Sequence, residues 1–139
     1  MIFSPPASGR IPARPEILVV EHEGIVAVHL CRILDEAGYR PLEPVGTVER
    51  AIESTTRHQP ALVVMDVHMA GDTLAFMALL RRLDVAVLLL TSSPHGRAHE
   101  PRWREGVAAR LSKPFLEHEL LAAVSTAFEA ASAERRSAS

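Results

Sequence analysis

The chain has 139 residues and is 47% hydrophobic and 23% charged, enough apolar material for one domain with a buried core, which excludes a disordered chain. A formal charge of −2 gives no basic field to neutralise phosphates, so generic binding to nucleic acid or to a membrane surface is excluded as a primary activity. No window approaches the roughly 18 apolar residues of a membrane span, the N-terminus lacks the pattern of an export signal, and the single cysteine, Cys31, has no partner for an internal disulfide, so a cytoplasmic location is expected.

Residues 1–15 hold Pro5, Pro6, Pro12 and Pro15 among Ser and Gly, and the absence of apolar periodicity predicts a flexible N-terminal arm. The run ILVVE over 17–21 predicts a first strand. It is followed by Val26, Leu30, Ile33, Leu34 and Ala37, a helical stripe that stops at Gly38, with Cys31 read as a small apolar residue on that helix. A weaker strand is expected over 41–45 and a second helix over about 48–58, ending before Pro60. The run ALVVMD over 61–66 predicts the next strand, and a helix over about 73–83 is expected to turn Leu74, Met77 and Leu80 inward. A further strand is expected over 85–91 (VAVLLLT). The stretch 93–105, with Pro94, Gly96 and Pro101, is the poorest helix candidate. A last strand over 108–112 precedes a helix with Leu116, Leu120, Val124 and Phe128 at four-residue steps, and the small polar residues from 132 to 139 predict a C-terminal tail.

Three of these runs are continuous in Val, Ile and Leu rather than alternating, as in strands covered on both faces by helices. Five strand and helix pairs in this order predict an α/β fold, a doubly wound five-stranded parallel sheet flanked by five helices, flavodoxin-like in type. In such a sheet the ligand site lies at the carboxyl ends of the strands. That rule selects Glu21, His22 and Glu23 after the first strand, Asp66 at the end of the third, Thr91 at the end of the fourth and Lys113 after the fifth. A carboxylate ending a buried strand beside other acids and a lysine has the chemistry of a nucleophile toward phosphorus, with the cations neutralising the developing charge. Asp66 is the candidate.

The segments ILVVEHE, VVMDVHMAG, LLLTSS and LSKPF, in this order, resemble the motifs of bacterial two-component response-regulator receiver domains over about residues 16–131. The resemblance implies that Asp66 is the phosphoacceptor, Lys113 the lysine that contacts the acyl phosphate and Thr91 the switch hydroxyl. It implies that Glu21 is the first acid of a magnesium-holding pair, that Asp66 and the backbone carbonyl of His68 complete the metal's protein ligands, and that Pro114 follows the lysine through a cis bond. The partners implied are a histidine kinase or phosphotransfer protein upstream and a protein target downstream. With no output domain expected after the last helix, the domain would act as a stand-alone regulator or phosphate shuttle, and no enzymatic activity of its own is expected.

Several positions depart from the family pattern. The second acid of the pair is His22, and imidazole is a poor ligand for magnesium, so Mg2+ binding is expected to be weakened unless Glu21 or Glu23 compensates. A second reading makes His22, Asp66 and His68 a transition-metal site. Arg110 stands three residues before Lys113 where the family commonly has an aromatic that turns inward, so it either pairs with the phosphoryl group or Asp66, or stays a solvated charge. The loop MAGDTLAF lacks the usual proline and Asp-Gly, so the helix after it is expected to start differently. Trp103, within RWREG, is a candidate partner anchor. The alternative reading of the whole chain is a phosphorylation-independent pseudo-receiver interaction module, for which His22 and Arg110 speak. A flavin or nucleotide binder is disfavoured because EHEG is acidic where a phosphate would sit.

Overall fold

The computed structural model describes residues 14–92 and 106–138. Its strands are β1 (Glu16–Val20), β2 (Arg40–Pro41), β3 (Leu62–Asp66), β4 (Ala86–Thr91) and β5 (Ala109–Ser112), and its helices are α1 (Gly24–Glu36), α2 (Val48–His58), α3 (Thr73–Arg82) and α4 (Glu117–Ala138). The strands form one parallel sheet in the order β2-β1-β3-β4-β5. The doubly wound, five-stranded parallel sheet expected from the alternating runs is therefore present, with four helices among the described residues. Residues 93–105, including Trp103 and the weakest helix candidate, and residues 1–13 of the expected arm lie outside them.

Successive side chains of a strand point to opposite faces, and here that alternation divides the apolar runs between two cores. Ile17 and Val19, Leu62 and Val64, and Ala86, Leu88 and Leu90 pack with α1 and α4 residues, among them Leu30, Ile33, Leu120 and Val124. The intervening Leu18 and Val20, Val63 and Met65, and Val87 and Leu89 pack with Val48, Ala51, Phe76 and Leu80 of α2 and α3. Every residue of β3 and β4 is buried, which is why those sequences are continuously apolar. Each fully buried Val or Leu contributes roughly 1.5–3 kcal/mol. No helix among the described residues is long and apolar enough to cross a membrane.

The helix boundaries follow their caps. α1 stops at Gly38, whose φ of +99° is open to glycine without strain. Thr47 caps α2 by accepting from the Arg50 amide at 3.1 Å, and Asp72 caps α3 by accepting from the Ala75 amide at 2.9 Å.

Four expectations need correction. On α3, Leu74 is 62% exposed and Phe76 is fully buried instead, because the turn begins at the Asp72 cap and sets the inward stripe at 73, 76, 77 and 80. Leu116 precedes α4 and is exposed, while Ala127 and Ala131 continue the stripe of Leu120 and Val124; Phe128 is partly buried and stacks on Tyr39 with ring centroids 5.8 Å apart. α4 runs on to Ala138, so residues 132–138 carry helical backbone where a tail was expected, in keeping with the helix formers Ala133, Glu134, Arg135 and Arg136. Arg14 and Pro15 are fixed to the domain: Arg14 pairs with Asp35 at 2.9 Å and donates to the carbonyls of Gly38 and Tyr39, and the Pro15 carbonyl accepts from the Arg40 amide.

Gly71 shapes the loop between β3 and α3. Its φ is +112°, and a Cβ there would stand 2.9 Å from Val48 Cβ. Gly71→Ala is expected to cost about 2 kcal/mol or more, read as a lower urea midpoint. Gly24→Ala, whose Cβ would meet nothing within 4 Å, is expected to stay within about 0.5 kcal/mol of the wild type.

Candidate functional site

The order of the strands reverses between β1 and β3, and the crevice outside their carboxyl ends is where such a sheet binds ligands. Glu21 follows β1 directly and is held there by its amide, which donates to the Val45 carbonyl at 3.0 Å. Asp66 ends β3, and its Oδ1 accepts from the His68 amide at 2.7 Å. Lys113 follows β5, two strands away, and its amide donates to the Thr91 carbonyl at 2.6 Å; the Lys113–Pro114 peptide is cis. The lysine's four-carbon stem spans β4 and brings Nζ to 2.6 Å from Asp66 Oδ2 and 3.0 Å from Glu21 Oε2.

Strand alternation explains why these three meet. Glu21, Asp66 and Lys113 continue the series 17, 19, 21, then 62, 64, 66, then 109, 111, 113, whose earlier members all face the α1 and α4 side. Thr91 and Ser112 belong to the opposite series, as does the exposed Arg110. They are register partners across β4 and β5, and Thr91 Oγ1 donates to Ser112 Oγ at 3.3 Å.

The carboxylates of Glu21 and Asp66 are almost wholly buried, whereas Lys113 keeps 22% of its side-chain surface. Burial alone would raise the Asp66 pKa. The ammonium of Lys113 and the His68 amide outweigh it, so the carboxyl lies below its ordinary range. Burial would likewise lower the Lys113 pKa, and the hydrogen bonds and charges of Asp66 and Glu21 hold it above the ordinary lysine value instead.

His22 is half-exposed, and its Nδ1 stands 3.3 Å from Glu21 Oε1. Glu21, His22 and Asp66 each offer one donor atom within 4.8 Å of the others, the grouping among the described residues that could hold a metal ion. His68 is not part of this group, and its Nε2 lies 2.6 Å from Ser92 Oγ. Glu23 is exposed and stands outside the group, its amide donating to Glu21 Oε1 at 3.2 Å. Magnesium seeks an octahedral shell of hard oxygens. The third donor here is an imidazole nitrogen, and one oxygen of each carboxylate is bound to Lys113, so the set fits magnesium poorly.

Sequence reasoning did not single out Ser112 and Ser92. The serine directly before Lys113 in LSKPF was the available signal for Ser112, since it must pair in register with the end of β4. Beside the carboxylates, a cavity of about 310 Å³ is lined by His22, Thr47, Glu49, His68 and Gly71 among others.

Replacing Lys113 leaves two buried carboxylates without their cation. Lys113→Met is expected to cost about 2–3 kcal/mol at pH 7, less than for a fully buried pair because the lysine is partly solvated. The wild type owes Asp66 a stabilisation that is present above the ordinary carboxylate range and lost as the pH falls through its lowered pKa. In the variant, burial raises the carboxyl pKa, so stability is expected to recover partly as the pH is lowered from 7 toward 5. Urea unfolding at a series of pH values reads both limbs.

Comparison with known proteins adds a family to this geometry. The response regulator receiver domain matches residues 17–125. The transcriptional regulatory protein PdtaR of Mycobacterium tuberculosis (strain ATCC 25618 / H37Rv) is 31% identical over 124 residues, which cover 87% of this chain and 59% of that protein. The phosphate regulon transcriptional regulatory protein PhoB of Klebsiella pneumoniae is 28% identical over 113 residues, covering 78% of this chain and 49% of its own length. The chain thus spans from just under half to about three fifths of the length of these relatives. Among solved structures, the signal receiver domain of an HD domain-containing protein from Pseudomonas fluorescens Pf-5 superposes with a TM-score of 0.73 at 26% identity, covering 91% of this chain and 96% of that one. The signal receiver domain of a modulated diguanylate cyclase from Desulfovibrio desulfuricans G20 shares the fold, with a TM-score of 0.76 at 22% identity over 87% and 98% of the two chains. A parallel sheet of this order, carrying acids after β1 and β3 and a lysine after β5 and matched from residue 17 to residue 125, makes the chain a member of the response regulator receiver domain family.

Proposed function

We propose that this domain accepts a phosphoryl group on Asp66 from a histidine kinase or a phosphotransfer protein and passes the signal on by contact with a downstream protein. The observation that carries the reading is the buried Asp66 carboxylate with Lys113 Nζ at 2.6 Å. The carboxylate is kept ionised by that neighbour, and its position at the end of β3 opens on the crevice between β1 and β3.

In the proposed transfer, a carboxylate oxygen of Asp66 attacks the phosphorus of a phosphohistidine. The new O–P bond forms as the P–N bond breaks, and the departing imidazole keeps the electron pair. Charge builds on the transferring oxygens, and the Lys113 ammonium is the protein's answer to it. Lys113 then exchanges part of its contact with Asp66 for the phosphoryl oxygens. Thr91, whose hydroxyl lies at the end of the neighbouring strand, is the group proposed to sense the product. Because Thr91 and Ser112 join β4 to β5, a demand on the Thr91 hydroxyl reaches the β4–β5 edge directly. The result is a shift in the population of that face and in its affinity for a partner.

Intact mass after incubation with acetyl phosphate, with and without magnesium, tests the reading. A gain of one phosphoryl group is expected in the wild type and none in Asp66→Asn. Labelling that survives in the variant overturns the assignment of Asp66. No gain in either protein, from acetyl phosphate or from a phosphorylated histidine kinase, favours a phosphorylation-independent interaction module.

A further inference from the structure

The pocket's third donor is a nitrogen, and its neighbours are arranged around that fact. Glu21 divides its two oxygens: Oε2 is paired with Lys113 Nζ at 3.0 Å, and Oε1 faces His22 Nδ1 at 3.3 Å. Two ligand atoms bound to one ion at about 2.1 Å and at an angle between 90° and 109° stand about 3.0–3.4 Å apart. The oxygen and the nitrogen are therefore already spaced as neighbouring ligands of a single cation. An ion on this side meets Oε1 without displacing the lysine from Oε2. Formal charge points the same way. Two carboxylates and one ammonium give −1 where neutral His22 adds nothing, and an aspartate at residue 22 would give −2, so electrostatic attraction for a strongly hydrated ion is reduced.

We propose that this pocket discriminates against magnesium and takes a divalent ion of the first transition row, such as Mn2+, Co2+, Ni2+ or Zn2+, through His22 Nδ1, Glu21 and Asp66, with His22 as the residue that sets the selectivity. Imidazole suits these ions, and affinity for a mixed nitrogen and oxygen set rises along the row, whereas magnesium gains little from a nitrogen donor. The inference rests on reading the Asp66 pocket as the domain's cation site, and it changes which cation that site selects. His68, whose ring is engaged by Ser92 at 2.6 Å, is no part of the donor set.

Calorimetric titration of the full chain with NiCl2, MnCl2 and MgCl2, each alone and without any phosphodonor, tests this. The wild type is expected to bind one Ni2+ at least about 100-fold more tightly than Mg2+. His22→Asp is expected to tighten Mg2+ by about tenfold or more and to weaken Ni2+ by a similar factor. His22→Gln and Asp66→Asn are each expected to lose the tight Ni2+ event. Pulsed electron paramagnetic resonance of the Mn2+ form is expected to show coupling to an imidazole nitrogen that disappears in His22→Gln. His22 is half-exposed, so its variants are expected to melt within a few degrees of the wild type, and a melting curve checks this. Binding of Ni2+ that survives both His22→Gln and Asp66→Asn identifies an adventitious ion on other histidines and overturns the proposal. So does equal affinity for Ni2+ and Mg2+ in the wild type, or no binding of any ion. A chain that binds Ni2+ through His22 yet takes no phosphoryl group fails the phosphoacceptor reading alone. A chain that is labelled on Asp66 and binds magnesium unaffected by His22→Asp fails this inference alone.

Discussion

Two carboxylates buried at the end of a parallel sheet would repel one another, and the ammonium of Lys113 is what allows both to sit there. Removing a charge from water costs several kcal/mol, recovered only when an opposite charge and hydrogen bonds meet it in good geometry. Here the compensation comes from a residue two strands away in the sheet and 47 positions away in the chain from Asp66. The amide of Lys113 is fixed by the Thr91 carbonyl, so the end of β4 determines where the lysine begins, and the strand order determines how far it must reach. The site therefore exists only when β1, β3, β4 and β5 are all in register.

That dependence ties the chemistry to the packing. The alternation that sends Ile17 and Val19 to one core and Leu18 and Val20 to the other continues past the strand ends. It delivers Glu21, Asp66 and Lys113 to the first side, with Thr91 and Ser112 on the second. A one-residue slip of β5 against β4 would reverse both assignments at once, exposing Leu111 and taking Lys113 away from its carboxylates. The apolar residues therefore also hold the polar register, because a slip of β5 would turn Ala109 and Leu111 away from the core they pack against.

Much of this was legible in the sequence, for a physical reason. Continuous runs such as LVVMD and AVLLLT can be stable only where both faces are covered, which specifies a parallel sheet flanked by helices, and a doubly wound sheet directs attention to the strand ends where Glu21, His22, Asp66, Thr91 and Lys113 are found. What the residues did not disclose depends on geometry that periodicity does not carry. The inward stripe of α3 is phased by the Asp72 cap, which turns Phe76 in and Leu74 out. The reach of α4 to Ala138 reflects helix propensity where composition alone suggested a tail. That the His68 ring lies outside the donor set was expected, but its partner Ser92 was not, because a loop side chain goes where its hydrogen bond is. Ser112 became visible only through its register with Thr91.

The same register bears on how a signal could leave the pocket. An aromatic side chain three residues before the lysine would store the state of the site as buried or exposed apolar area, a term largely indifferent to local charge. Arg110 occupies that position on the exposed face of β5, on the side shared by Thr91 and Ser112. A permanently charged guanidinium cannot be buried as an aromatic ring is, without a counter-charge of its own. A switch at this edge would thus be coupled more naturally to charge than to hydrophobic burial. On the proposed reading, a phosphoryl group on Asp66 would add negative charge beside Lys113 and would draw on the Thr91 hydroxyl, whose bond to Ser112 is long, at 3.3 Å, and correspondingly weak. On that reading, with His22 beside the buried carboxylates and Arg110 on the edge strand, input and output would both depend on how a small number of fixed charges is balanced around Lys113.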